Sequence, residues 1–187
     1  KSLNQSNYCI SVFEEEIVNQ GLRVLGWRNV PVDTSSIGKI ASKTEPKIKQ
    51  IFVDKNKKQF SPLEFNAKLF AARKIAEHKI SKSKLSQCNY FYLPSFSTTT
   101  LIYKGLLIPE DIGRYYKDLK EKDLVTRLAL VHQRFSTNTF PAWELAQPFR
   151  YMCHNGEINT LRGNLNRIRS REELMSSDLF GEDIKKI

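Results

Sequence analysis

The chain has 187 residues, enough for one well-packed domain and too few for two large ones. Hydrophobic residues make up 40% of the chain, with only 8 Gly and 7 Pro, which excludes disordered, collagen-like and repeat-type proteins. The formal net charge is +10. No apolar run approaches the roughly 18 residues that a membrane-spanning helix needs, so we expect no membrane partner.

The first part of the chain carries a helix signal followed by two strand signals. We expect a helix over 13–20, with its glutamates in the first turn and Gly21 at its end. Alternating apolar residues predict strands over 22–32 and 47–54. The segment 33–46 between them is polar and irregular, with one predicted helical turn at 37–41.

A capping box marks the start of the central helix. Ser61 and Glu64 have the spacing of this motif, and Pro62 occupies the first helical position, so a helix is predicted to about residue 80. A pair of strands is predicted over 90–96 and 99–107, because both ranges are rich in residues that favour β-structure. A further helix is predicted over 109–120, where a proline is followed by two acidic residues.

The second half contains one continuous apolar run, Leu128 to Val131 within 124–132, which is typical of a strand buried on both faces. The remaining predicted elements are a long loop with one helical turn, a short strand and a polar helix: 136–150 (turn at 142–146), 151–154 and 160–176. Strands grouped between helices indicate an α+β fold, and we expect residues 1–187 to belong to a single domain.

Most of the positive charge lies in one stretch, because 39–84 holds 13 basic residues against 4 acidic ones. A basic cluster of this kind is one signature of a nucleic-acid surface. Nucleic-acid sites mix arginine and stacking aromatics into the cluster, whereas 12 of these 13 residues are lysine. We therefore expect a solvated face and no nucleic-acid partner, with nucleic-acid binding as a lesser alternative.

The three cysteines, Cys9, Cys88 and Cys153, are odd in number and widely spaced. A disulfide framework or a zinc site needs pairs at short, regular spacing. We therefore expect free thiols, no metal site and a reducing, cytoplasmic compartment.

Three clusters of polar residues suited to catalysis or binding follow the predicted strands of the second half. His-x-Arg-Phe-Ser-Thr stands at 132–137, Gln-Pro-Phe at 147–149 and His-Asn-Gly at 154–156. Arg134 offers a planar fork that can bind a carboxylate through two hydrogen bonds. Asn155 offers an amide donor beside the backbone N–H of Gly156, a combination that suits a developing oxyanion. An Asn-Gly turn and an arginine in a salt bridge are the plainer alternatives.

These three strings resemble the class II glutamine amidotransferases, whose glutaminase domain has an N-terminal-nucleophile fold. Longer strings are similar to the large chains of the glutamate synthase family: Leu-Gly-Trp-Arg-x-Val-Pro-Val at 25–32, Ser-Thr-Asn-Thr-Phe-Pro-x-Trp at 136–143 and His-Asn-Gly-Glu-Ile-Asn-Thr-x-Arg-Gly-Asn at 154–164. The resemblance runs from about Cys9 to the last residue. It implies part of a four-layer αββα sandwich.

The resemblance also implies an activity, hydrolysis of glutamine to glutamate and ammonia. In the whole enzyme the ammonia serves the reductive amination of 2-oxoglutarate by synthase domains of the same polypeptide, with FMN and an iron–sulfur cluster outside this domain. No cofactor is implied within this domain. An electron-donating small subunit or ferredoxin is the implied protein partner. Arg134 matches the residue that binds the substrate α-carboxylate, and Asn155 with Gly156 matches the oxyanion hole.

The sequence departs from the family pattern at the nucleophile, a mature N-terminal cysteine, because position 1 is Lys. We expect an internal piece of a longer polypeptide that is inactive alone, with a natural short homologue as the alternative. Cys153 is a poor substitute, since a mid-chain cysteine has no free α-amine to act as its base. His132 and His154 are expected to be structural. A non-catalytic, glutamine-binding regulatory module is the competing function.

Overall fold

The computed structural model describes residues 2–133, 140–154 and 160–187. These residues form five α-helices and two β-strands: α1 (Ser2–Asn19), β1 (Arg23–Asn29), α2 (Lys39–Lys43), β2 (Lys49–Asp54), α3 (Pro62–Ser81), α4 (Pro109–Tyr115) and α5 (Leu161–Glu172). Short 3₁₀ turns lie at Thr34–Ser36, Cys88–Tyr90, Lys117–Lys120, Trp143–Leu145 and Gly181–Lys185. This mixed helix and strand content agrees with the predicted α+β class. No helix in the described ranges is long and apolar enough to cross a membrane.

The chain divides into two compact units, each assembled from separate stretches. Unit 1 comprises Lys1–Arg23, Lys55–Thr98 and Gly156–Ile187, and unit 2 comprises Val24–Asp54 and Thr99–Asn155. That the whole chain belongs to one domain stays a prediction.

Unit 1 is built on the packing of α1 against α3. The predicted capping box is present, because the Ser61 hydroxyl accepts from the Glu64 N–H at 3.2 Å and the Glu64 carboxylate accepts from the Ser61 N–H at 2.8 Å. The buried face of α3 is aliphatic and rich in small side chains: Ala67, Leu69, Ala71, Ala72, Ile75, Ala76 and Ile80. Phe13 and Ile17 are the fully buried large side chains of α1.

Gly21 stops helix α1 as predicted, but the helix begins much earlier than predicted. The Gly21 N–H donates to the Val18 carbonyl and the Leu22 N–H to the Ile17 carbonyl, a Schellman pair that uses the φ of +75° at Gly21. The expectation that the glutamates occupy the first turn is wrong, since α1 starts at Ser2. Glu16 is instead buried and paired with Lys79 of α3.

Unit 2 combines the β1–β2 sheet with a cluster of aromatic rings. Both strands agree with the predicted ranges 22–32 and 47–54. Tyr115 packs edge-on against Tyr116 with ring centres 4.7 Å apart, and its ring centre lies 5.6 Å from that of Trp143. The Trp143 indole N–H donates to the Ala41 carbonyl at 3.1 Å, and the Tyr115 hydroxyl donates to Glu45 at 2.7 Å. These buried rings therefore have partners for their polar atoms.

Two helix predictions are correct in position and too long. Helix α4 begins at Pro109 as predicted and ends at Tyr115, because Tyr116 leaves the helical conformation and forms a bridge with Val32. The segment predicted as the end of this helix continues as the 3₁₀ turn Lys117–Lys120. The polar helix predicted over 160–176 is α5, which ends at Glu172.

The strands predicted over 90–96 and 99–107 are absent from these described segments, which lack regular structure beyond the turn at Cys88–Tyr90. In place of ladder bonds, the Asn66 side chain of α3 accepts from the Ser97 hydroxyl and the Thr98 N–H, at 3.2 and 3.0 Å. These bonds hold the connection between the two predicted strands, and the β-propensity of the flanking residues does not determine the structure here.

The strand predicted over 124–132 is also wrong. Val125, Leu128 and Val131 are 84%, 80% and 78% exposed, and no strand pairs with this described segment. An apolar run becomes a buried strand only when neighbouring strands accept its backbone bonds. The strand predicted over 151–154 is likewise absent, since 151 lies in a turn and Met152 forms an isolated bridge.

Candidate functional site

The predicted site residues Arg134, Asn155 and Gly156 lie outside the described residues, so their roles stay predictions. The structure does describe the chain on either side of them. His132 and Gln133 precede the first gap, 140–154 lies between the two gaps, and Thr160 follows the second.

A short hairpin immediately precedes the predicted Asn-Gly pair. Phe149 and Met152 exchange both backbone hydrogen bonds, with N–O distances of 2.8 and 2.9 Å. Arg150 turns the chain with a φ of +50°. The buried residue Ala146 lies at the base of this hairpin.

The Gln147 side chain extends the hairpin by one more pair of hydrogen bonds. Its amide nitrogen donates to the His154 carbonyl at 2.6 Å, and its amide oxygen accepts from the His154 N–H at 2.7 Å. In an antiparallel ladder, the hydrogen-bonded pair next to 149 and 152 is 147 and 154. The Gln147 side chain therefore replaces a peptide group in the ladder and holds the residue that directly precedes Asn155.

A buried lysine lies beside the same hairpin in unit 2. Lys104 is 7% exposed, its ammonium donates to the Glu144 carbonyl at 2.7 Å, and it lies 4.5 Å from the centre of the Phe149 ring. A cation over an aromatic face is attracted by the negative face of the ring. Lys104 was not among the predicted site residues, and its one signal in the sequence is a single charge in the apolar segment 101–108.

A second polar cluster in unit 2 surrounds Asp118. Arg28 pairs with this carboxylate through both terminal nitrogens, and the Tyr103 hydroxyl donates to it at 2.9 Å. The Arg28 hydrogen bond lowers the pKa of Asp118 below its ordinary value, against the opposing effect of burial. Burial, followed by the hydrogen bond to Asp118, raises the pKa of the Tyr103 phenol. Arg28 falls in the string at 25–32, and the predicted site did not include it.

The cysteines and histidines have no catalytic arrangement in the part of the chain that is described. All three cysteines are free, and the Cys153 thiol faces the Val131 carbonyl at 4.0 Å. The His132 Nδ1 is buried without a hydrogen-bond partner among the described residues. Across 2–133, 140–154 and 160–187, no three metal-ligating side chains lie together.

Lysines of the basic stretch 39–84 make local contacts in unit 1. Lys58 and Lys68 lie 6.0 and 5.1 Å from the centre of the Phe60 ring. Arg73 and Lys74 both pair with Glu77. These contacts involve four of the basic side chains, and the solvated face stays a prediction.

Comparison with known proteins gives one family for the whole chain. The model of the family described as "Glutamine amidotransferases class-II" matches residues 1–187. This match covers 134–139 and 155–159, which contain the predicted site residues, as well as the residues on either side of them.

Curated relatives carry the names of glutamate synthases. The chain is 48% identical over 171 residues to the glutamate synthase [NADPH] large chain of Bacillus subtilis, covering 91% of this chain and 11% of that protein. It is 44% identical to the glutamate synthase [NADH] of Saccharomyces cerevisiae, covering 96% of this chain and 8% of the relative. It is 42% identical to the chloroplastic ferredoxin-dependent glutamate synthase of Oryza sativa, covering 95% and 11%. The chain thus spans about a tenth of the length of these relatives.

Proposed function

This chain belongs to the class-II glutamine amidotransferases, and we propose that it forms the glutaminase part of a glutamate synthase. The observation that carries the proposal is the family match over residues 1–187 together with 48% identity to a glutamate synthase large chain. The function is hydrolysis of glutamine to glutamate and ammonia. The proposed fold of the complete domain is the four-layer αββα sandwich of N-terminal-nucleophile hydrolases, with residues 1–187 as part of it.

The proposed reaction begins with a thiolate that adds to the side-chain carboxamide of glutamine. Arg134 binds the substrate α-carboxylate with its two-donor fork. The Asn155 amide and the Gly156 N–H stabilise the negative charge that develops on the carboxamide oxygen. Collapse of this intermediate releases ammonia and leaves a thioester, which water hydrolyses to glutamate.

A cysteine outside these 187 residues supplies the nucleophile in this proposal. The family uses an N-terminal cysteine whose own α-amine, with a pKa of about 8, takes the thiol proton near neutral pH. Cys9, Cys88 and Cys153 each have a peptide bond at their nitrogen and so cannot use this base. Burial raises the pKa of the Cys9 thiol, which makes it a still weaker nucleophile.

The released ammonia serves a second reaction in the proposed whole protein, the reductive amination of 2-oxoglutarate. Synthase domains of the same polypeptide and an electron-donating small subunit or ferredoxin are the proposed partners. FMN and an iron–sulfur cluster would supply electron transfer there. In this proposal both groups lie outside these 187 residues. Three free thiols fit the reducing, cytoplasmic compartment that we propose.

The competing hypothesis of a non-catalytic, glutamine-binding regulatory module is not favoured. The relatives that match 91% and 96% of this chain carry the names of glutamate synthases.

The replacement Asn155→Asp in the full-length protein tests the glutaminase proposal. It preserves the side-chain volume and replaces a hydrogen-bond donor with a charge that repels the oxyanion. Loss of one such donor lowers kcat by about 10² to 10³-fold, so we expect a decrease of at least that size in glutamine-dependent ammonia release. Ammonia-dependent glutamate formation should remain, because it bypasses this reaction.

The exposed residue Asn7 offers the matched control, Asn7→Asp, which should leave both activities unchanged. A folded Asn155→Asp protein that keeps more than about a tenth of the wild-type kcat would show that Asn155 merely shapes a turn, a role that aspartate can also fill. Equal loss of both activities would indicate a folding defect instead.

A further inference from the structure

We propose that Cys9 and Cys88 are a disulfide-forming pair, a modification site that links helix α1 to the turn Cys88–Tyr90 within unit 1. The proposal rests on how the contacts of α1 align with the segment that contains this turn. It is independent of the glutaminase reaction.

The face of α1 that carries Cys9 lies against the 86–96 segment on both sides of this residue. Four residues before Cys9, the Gln5 amide donates to the Ser86 hydroxyl at 3.0 Å and accepts from the Gln87 N–H at 3.2 Å. Four residues after Cys9, the Phe13 ring packs edge-on against Phe96 with ring centres 4.8 Å apart.

Residues spaced by four share one face of a helix, so Gln5, Cys9 and Phe13 point in the same general direction. Along the opposing segment, Cys88 follows the partners of Gln5 and precedes Phe96. Cys88 is adjacent to Gln87, whose N–H bonds to Gln5, and Cys9 lies one helical turn beyond Gln5, so the proposal places the two thiols beside each other.

The electrostatics of Cys9 agree with this placement. Burial raises the pKa of its thiol, and the neighbouring Cys88 raises it further. Both cysteines are free and half-buried, which leaves them open to a small oxidant.

The chemistry requires a disulfide oxidant, such as oxidised glutathione. The thiolate of one cysteine attacks the glutathione disulfide, which forms a mixed disulfide and releases one glutathione thiolate. The second cysteine, as its thiolate, attacks the protein sulfur of that mixed disulfide and releases the other glutathione. Two protein thiols are oxidised, one glutathione disulfide is reduced to two thiols, and the two protein protons pass to them or to solvent.

The test is thiol mapping of the full-length protein after incubation with oxidised glutathione. Free thiols are alkylated, and the digest is examined by mass spectrometry without reduction. We expect the Cys9–Cys88 linked peptide to be the main product among the cysteines of this chain, with Cys153 still alkylated. Cys9→Ser and Cys88→Ser should each abolish the link, whereas Cys153→Ser should leave it intact.

Unfolding the protein in urea provides the reference for chance pairing. Closing a shorter loop costs less entropy, so in the unfolded chain a Cys88–Cys153 link should form at least as readily as Cys9–Cys88. A native preference of tenfold or more for Cys9–Cys88 supports the proposal. Native protein that gives only glutathione adducts, no oxidation, or the pairing ratio of the unfolded chain would overturn it.

Discussion

Unit 1 buries mainly aliphatic and small side chains on two long helices, together with Phe13, whereas unit 2 buries aromatic rings whose polar atoms are hydrogen-bonded. In unit 1 helix α3 buries four alanines and helix α1 buries Phe13 and Ile17, and the two helices pack against each other. In unit 2 Tyr116 and Trp143 are anchored at one point each, to the carbonyls of Lys104 and Ala41. Apolar burial is non-directional, but a hydrogen bond to a buried ring fixes an orientation.

This difference predicts different kinds of sensitivity in the two units. Unit 1 should respond to lost volume in proportion to the cavity that is created. Unit 2 should respond to small changes that misplace a ring or remove one polar partner. Amide hydrogen exchange reports the two units separately, because it measures local opening.

The largest effect is expected for Ile17→Ala in unit 1. Ile17 is fully buried, so its truncation should cost about 2–5 kcal/mol of local stability. Exchange should accelerate across α1 and α3. The milder Ile17→Val should cost only about 0.5–1.5 kcal/mol, and equal effects of the two variants would contradict a volume-based contact.

A smaller effect is expected for Gly105→Ala in unit 2. A Cβ at position 105 would lie 2.3 and 2.6 Å from two ring carbons of Trp143, which is buried. The ring cannot move without losing its bond to Ala41, so we expect a cost of about 1–3 kcal/mol from overpacking. Faster exchange around Trp143 and a shift in its fluorescence would be the signs. Gly113→Ala is the matched control, since a Cβ there meets no atom within 4 Å.

The smallest effect is expected for Asp118→Asn, and it depends on pH. Arg28 lowers the folded-state pKa of Asp118, so the carboxylate stabilises the fold above its unfolded pKa of about 3.9. This stabilisation is lost as the pH falls through the lower folded-state value. Near neutral pH the variant should cost about 1–2 kcal/mol, a value reduced by solvent because the Arg28 side chain is 40% exposed.

Exchange in unit 2 should therefore differ between wild type and Asp118→Asn near pH 7. The two proteins should converge in the acid range below the ordinary aspartate pKa. A difference that stays constant or grows as the pH falls would exclude the ion pair as its cause.

Local signals predicted the parts of the fold that local interactions determine. The capping box at Ser61, the proline that opens α4 and the stop at Gly21 each act within a few residues, and each lies where the sequence placed it. The start of α1 was not predictable in this way. Its polar first turns are held partly by Gln5, which bonds to residues about 80 positions away.

The candidate site also has features that the sequence predicts and features that it does not. The strings that contain Arg134 and Asn155 were found from residue order alone. The burial of Lys104 depends on a contact with a residue 40 positions away. The side-chain pair between Gln147 and His154 lies within one hairpin, but no regular spacing predicts it. A glutamine that replaces a backbone pair in a hairpin has no periodic signature, because its side chain acts as a peptide group.

The exposed apolar segment 124–132 has a consequence for handling the protein. It is rich in Leu and Val and carries few charges, the composition of segments that add to other chains as strands. Arg127 is the one Lys or Arg in this segment, and its charge opposes such self-association. Preparations of the 187-residue chain should therefore lose solubility with rising concentration and salt, since salt screens the +10 charge that keeps copies apart.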